Sequence, residues 1–254
     1  MTNDAETMSV AEYLAQGGKV TSPENVSPRY RAELMRMMSS FVDSELAGSA
    51  GFANAINWAP GIKERIAASR ITLEKASNAE KVLDLMEDFG TDKALYNQSH
   101  DWAARGARDD RTVPKRRGGD MRLSVFHYPL SGWVDACVMN ALMGLATCVQ
   151  LEEMVKVSYT PLAEVMREIT PIETRHMELG FEGLERIAAT TDGKAEIAAS
   201  LAYWQDRVAE TFGVAGSERF DRLSAMGLRH DTNEVLLARW QARSAEALAP
   251  LGLA

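Results

Sequence analysis

The sequence predicts an all-α protein: a four-helix bundle of two helix hairpins, with extra helices at the C-terminal end. Three observations predict it. Leu, Ala, Met, Glu and Arg are abundant, a mix that favours helix. Apolar residues recur at spacings of three and four, the period of a helix with one buried face. No stretch alternates with period two, so no strand is expected.

The elements follow in chain order. Residues 1–27 read as an irregular or partly helical lead-in, closed by Pro23 and Pro28. From Tyr30 to Ala53, Leu34, Met37, Met38, Phe41, Val42 and Leu46 recur at helical spacing. Trp58-Ala59-Pro60-Gly61 is a turn. A second helix is expected from Ile62 to Phe89, with Gly90 as its stop. The short connection makes these two helices antiparallel neighbours. Residues 91–124 read as a basic loop, with Arg105, Arg108, Arg111, Lys115, Arg116, Arg117 and Arg122 among glycines and a proline. The most apolar helix is expected from Ser131 to Val157. After the turn at Ser158–Pro161, a fourth helix runs from Leu162 to Ala188, and Pro171 is expected to kink it. Two or three more helices fill 194–249, and the whole of residues 1–254 reads as one domain. Two antiparallel hairpins joined by a crossover make the ferritin-like plan.

Composition narrows the function. Net charge is −8, which does not suit a nucleic-acid binder, and no aromatic stacking platform accompanies the basic loop. The longest apolar run, Ala136 to Val149, is interrupted by Asn140 and Thr147, so it reads as a core helix and not a membrane span. Cys137 and Cys148 lie three helical turns apart, about 16 Å, too far for a disulfide. Reduced thiols and a polar, acidic start at Met1–Glu6 fit a cytoplasmic protein. No nucleophile triad, Gly-rich phosphate loop or Cys-x-x-Cys is present.

One motif stands out. Glu173-Thr174-Arg175-His176 is the single Glu-x-x-His of the chain. In a ferritin-like plan, Glu and His at i and i+3 face the bundle centre together and hold metal. The same spacing also serves as a surface pair or cap.

Around this motif the sequence resembles a family. Ser44-Glu45-Leu46, the Ala59-Pro60 turn, Phe126 to Pro129, Trp133 with Asp135, Ser158-Tyr159 before Pro161, Glu173 through His176, and Gly180-Phe181-Glu182 resemble the catalytic-component family of phenylacetyl-CoA epoxidases. The resemblance covers roughly residues 23–250. It implies a phenylacetic acid catabolic protein of the ferritin-like di-iron superfamily. Such a protein is a non-heme monooxygenase component that epoxidises the aromatic ring of a CoA thioester with O₂ and electrons from a reductase. Matched residue by residue, Glu45 stands at the first-helix Glu, and Glu173 and His176 stand at the last Glu-x-x-His. Lys75, Asn78 and Gly144 stand at the other three ligand places. A slip of one residue would put Glu74 in the second-helix place, with Ser77 where its His should be. The departures imply no metal, or a single iron or manganese on Glu45, Glu173 and His176, in place of a di-iron centre. Lys75 is expected either to pair with Glu45 and Glu173 inside the bundle or to point to solvent while Glu74 faces inward.

Three functional expectations follow from the resemblance. The first is a structural or regulatory component in a hetero-oligomer with a catalytic paralogue. The second is an active monooxygenase on an aromatic acyl-CoA or small aromatic. The third is a homo-oligomer that binds an acyl-CoA without chemistry. Lys115, Arg116 and Arg117 are candidates for the CoA phosphates, because guanidinium and ammonium groups suit phosphate. Phe126, Tyr128 and Trp133 are candidates either to line a substrate pocket or to form plain core.

Overall fold

The computed structural model describes residues 10–110 and 118–253. The expected bundle is present. Helix α1 (Val10–Ala15) is followed by two long helices, α2 (Pro28–Trp58) and α3 (Ile62–Glu87). A short helix, α4 (Lys93–Asn97), lies in the crossover. The second hairpin is α5 (Trp133–Met154) and α6 (Thr160–Ala188). Helices α7 (Gly193–Ala209), α8 (Glu218–Ala225) and α9 (Asn233–Leu248) complete the chain. No strand occurs among the described residues; a single bridge joins Val20 to Tyr159 and ties the lead-in to the α5–α6 turn.

Local chemistry sets the helix ends. Ser27 caps α2 by accepting from the Tyr30 N–H, and Pro28 occupies the first turn. The chain leaves α2 at Ala59, whose helical conformation Pro60 disfavours. Gly90, at φ +89°, closes α3 as the Gly90 and Thr91 N–H groups reach back to the carbonyls of Glu87 and Met86. Helix α6 continues through Pro171, which leaves the Arg167 carbonyl without its i+4 donor. The hydroxyls of Thr170 and Thr174 beside it bond back one turn to the carbonyls of Met166 and Thr170.

Tyr30, Leu34, Met38 and Val42 place one stripe of α2 in the core with no exposure. Burying each side chain of this kind is worth about 1.5–3 kcal/mol relative to leaving it in water. Helix α5 is different: Asp135 to Ala146 is buried on every side. It is long and apolar enough to cross a membrane by composition, yet 78% of its most apolar window is covered by the rest of the molecule. Helices α7 and α9 cover its outer face, where Trp204 and Trp240 are fully enclosed and the Trp240 indole donates to the Leu142 carbonyl at 3.0 Å. The inner face meets α6 very closely. A Cβ on Gly180 would lie 2.7 Å from the Ala141 amide nitrogen, so only glycine allows this approach.

The crossover is more ordered than a solvated loop. Arg105 donates to the carbonyls of Trp102, Ala104 and Ala47, which fastens the segment to α2. Arg108 pairs with buried Asp135 and lies 3.7 Å over the Tyr203 ring. Arg122, itself buried, bonds Asp120 and the Asp101 carbonyl and covers Trp102. Short helix α4, capped by Asp92, stands where the sequence predicts only loop. Arg111, Lys115, Arg116 and Arg117 lie outside the described residues.

Candidate functional site

Three helices meet at a buried polar cluster in the middle of the bundle. Helix α2 supplies Glu45, α3 supplies Glu74, Lys75 and Asn78, and α6 supplies Glu173 and His176. Lys75 and Asn78 are three residues apart, as are Glu173 and His176, so each pair shares one helical face. Asp43, Ser44 and Glu45 are consecutive and all buried. Asp43 accepts from the Tyr96 hydroxyl and the Met121 amide, and Ser44 accepts from the Leu123 amide. These bonds hold the crossover on that side of α2 and leave Glu45 to turn inward.

Exposure is 6% for Lys75, 4% for Glu45, 1% for Glu173 and 0% for His176 and Asn78. The Lys75 Nζ lies 3.0 Å from Glu45 Oε1, and 3.2 and 3.0 Å from the two Glu173 oxygens. Asn78 donates to Glu173 Oε1 at 2.9 Å. His176 places Nδ1 3.2 Å from Glu173 Oε1 and Nε2 2.8 Å from Glu74 Oε2. Glu74 sits at the rim, its side chain 34% exposed. Room for the lysine stem comes from Gly48, one turn beyond Glu45, where a Cβ would lie 3.1 Å from Lys75 Cδ.

The electrostatics follow from burial and these contacts. Burial raises the Glu173 carboxyl, but the Lys75 ammonium and the bond to His176 outweigh it and hold it well below the usual carboxylate range. Glu45 is pushed up to about 8, by burial first and by the neighbouring Glu173 second, against the pull of Lys75. Burial lowers Lys75, while the two carboxylates raise it further and keep the ammonium protonated. Lys75 is thus held as the ammonium, with the Glu173 carboxylate as its counter-charge. Among the described residues Glu45 Oε2 and Asn78 Oδ1 are buried without a hydrogen-bond partner.

The arrangement does not fit a di-iron centre. The Lys75 ammonium lies at hydrogen-bonding distance from both Glu45 and Glu173, would repel a divalent ion there, and as a protonated lysine offers no lone pair. Among the described residues no group of three or more His, Cys, Asp or Glu side chains is arranged to hold a metal ion. Gly144 is not part of the cluster. A Cβ there would lie 2.8 Å from Met177 Cβ and 2.9 Å from Met177 Cα, so its open direction faces the α6 backbone. The α5 residue that reaches toward the site is Asn140, which donates to the His176 carbonyl at 2.6 Å. Neither Asn140 nor Gly48 belongs to a motif that marks it as a site residue in the sequence. Glu74, the alternative to Lys75, touches His176 from the rim.

Beside the cluster lies a cavity of about 420 Å³, lined in part by Glu45 and Phe126. Tyr128 and Trp133 do not line it; Tyr128 is core beneath the Arg207 guanidinium and Trp133 packs against core residues. Both cysteines are free thiols.

Two packed helix hairpins with Glu and Glu-x-x-His directed at their common centre define the class: an all-helical, ferritin-like bundle. Within that class the chain belongs to the phenylacetic acid catabolic protein family, whose model matches residues 7–254. It is 26% identical over 185 residues to the A-type subunit of the 1,2-phenylacetyl-CoA epoxidase from Escherichia coli strain K12. That match covers 72% of this chain and 55% of the length of the relative.

Proposed function

We propose that this chain is an epoxidase-type component that supports assembly or regulation and has given up metal chemistry for an internal ion pair. The observation that carries this reading is the Lys75 ammonium between Glu45 and Glu173. A fixed protein cation supplies the Glu173 carboxylate with the partner that a buried charge needs, in place of a metal. The Escherichia coli relative is by name one subunit of an enzyme, which supports a role in an assembly. An exposed apolar stripe on α3 offers a surface for it: Ile62 is 71% exposed, Ile66 57% and Leu73 67%. We assign this stripe to a family member with a complete ligand set, working with this chain in the cytoplasm.

The test is co-expression with such a family member. The reading expects a stable complex, and no O₂-dependent turnover by this chain alone when supplied with a reductase and an aromatic acyl-CoA. Turnover by the isolated chain would overturn it.

A second reading, an active monooxygenase with one iron or manganese on Glu45, Glu173 and His176, has one observation in its favour: the cavity reaches Glu45. It requires Lys75 to swing away, and it predicts that Lys75→Ala increases metal binding and turnover together. For either reading, Lys115, Arg116 and Arg117 stand as proposed contacts to CoA phosphates. Changing all three to Gln should weaken acyl-CoA binding while leaving thermal stability unchanged.

A further inference from the structure

The cavity next to the polar cluster has a chemistry of its own. Part of its wall is apolar, with Met37 and Phe41 of α2, Phe126 of the crossover, Met143 and Met154 of α5, and Phe220 of α8. Its volume lies in the range of small-molecule sites. Polar side chains, Thr147, Gln150, Glu153 and Asn233 among them, also line it, and two of its polar features bear on what it could hold. At one place Arg229 faces the cavity. The contacts of its guanidinium are neutral: Gln150 Oε1 at 2.9 Å, Asn233 Oδ1 at 3.4 Å and the Asp231 carbonyl at 3.3 Å. A guanidinium has five N–H donors, so these three bonds do not exhaust it.

The neighbouring carboxylates are engaged elsewhere. Glu153 accepts from the His230 and Asp231 amides and from Lys156. The Asp231 carboxylate holds Arg239 at 2.8 Å. Of the other two cavity arginines, Arg219 is bonded to Glu33 and Arg36 is exposed on α2. Among the described residues Arg229 thus forms no ion pair within contact distance; burial lowers the pKa of its guanidinium, and Glu153 and Asp231, bonded elsewhere, oppose that only from further off. The second polar feature is Glu45, which is 4% exposed, lines the same cavity, and, among the described residues, keeps Oε2 without a hydrogen-bond partner.

We propose that this cavity binds a small apolar molecule bearing a carboxylate, with the carboxylate on Arg229 and the body running among the methionines and phenylalanines toward Glu45. The planar guanidinium matches a carboxylate in shape and charge. The wall supplies the apolar contact. Unpartnered Glu45 Oε2 further favours ligands whose distal end carries a hydroxyl or carbonyl. Carboxylate preference is separable from the metal question, since metal content can overturn the assembly reading and leave that preference intact.

Displacement of the fluorescent probe anilinonaphthalene sulfonate from the full chain tests this. Octanoate and octan-1-ol have the same tail and differ in head group. Octanoate is expected to displace the probe at about tenfold lower concentration than octan-1-ol, the ratio that one charge-assisted contact provides. Arg229→Gln should abolish that preference and leave octan-1-ol unchanged. Thr147→Trp, which fills the cavity, should suppress displacement by both. Equal potency of the two ligands on the wild-type chain would overturn the proposal whether or not the variants fold. Probe fluorescence that persists unchanged in a folded Thr147→Trp variant would do the same, because the probe would then sit elsewhere.

Discussion

Two regions of this molecule hold buried charge, and they do so differently. In the bundle centre Lys75, Asn78, Glu173 and His176 satisfy one another side chain to side chain, across two helices, with Glu45 joining from a third. In the crossover Arg105, Arg108 and Arg122 are satisfied mainly by backbone carbonyls and aromatic faces. The centre is a closed ionic group, in which removing one member strands the others. The crossover is a set of separate fastenings, in which each arginine secures its own stretch of chain. Substitution should therefore be strongly coupled in the first region and nearly additive in the second.

The largest effect is expected at Lys75. Lys75→Met leaves the Glu173 carboxylate in the core without its counter-charge, and should cost about 3–5 kcal/mol in urea unfolding. Adding Glu45→Gln and Glu173→Gln should recover most of that loss, because an uncharged group of similar volume no longer needs the ammonium. If the triple variant is less stable than Lys75→Met by the sum of further losses, the centre is not a closed ionic group.

Arg108→Ala should come next. It removes the partner of buried Asp135, although the Ser131 amide and the Ser200 hydroxyl still donate to that carboxylate. The expected cost is about 2 kcal/mol, the size of one charge-assisted hydrogen bond. The Lys75→Met and Arg108→Ala losses should add, which a double-variant cycle measures directly.

Smaller again is the contribution of Glu153, which anchors the turn before α9. Burial raises its carboxyl, but the Asp231 and His230 amides and Lys156 hold it below the ordinary value. A depressed carboxyl contributes stability above its unfolded pKa, about 4.3, and that stability is lost as pH falls through the lower folded value. Glu153→Gln should thus cost about 1 kcal/mol at neutral pH and progressively less below about pH 4. A loss that stays constant down to the acid transition would show that these bonds do not depend on charge.

The smallest change in stability is expected at Leu73, 67% exposed on α3. Leu73→Ser should shift unfolding by less than about 0.5 kcal/mol. Its effect belongs to assembly, read as loss of the co-expressed complex.

The same contrast explains what is legible in the sequence. Residues on amphipathic helices are legible, because a spacing of three fixes which side chains share a face. That spacing, with the family resemblance, brings out Glu45, Lys75, Asn78, Glu173 and His176, and the hairpins around them. Helix α5 carries no such signal. It is apolar all round, so nothing in its pattern tells which side faces α6, and Gly144 lies against Met177 and not in the cluster. In the crossover, Arg105 and Arg122 bond partly to near neighbours in the chain. Their contacts to the Ala47 and Asp101 carbonyls, and those of Arg108 to Asp135 and the Pro129 carbonyl, are made by tertiary folding, about which spacing says nothing. Helix α4 is hidden because five residues are too few to show a period.

The ion pair at the bundle centre is tested most directly by metal analysis. The full chain, expressed with iron and manganese in excess and purified with and without oxygen, should carry neither at a stoichiometric level. Lys75→Glu combined with Asn78→His should gain iron, since it removes the ammonium and adds two donors on the inward face of α3. Stoichiometric iron in the unaltered chain, one ion or two, would contradict the claim that the Lys75 ammonium stands in place of a metal.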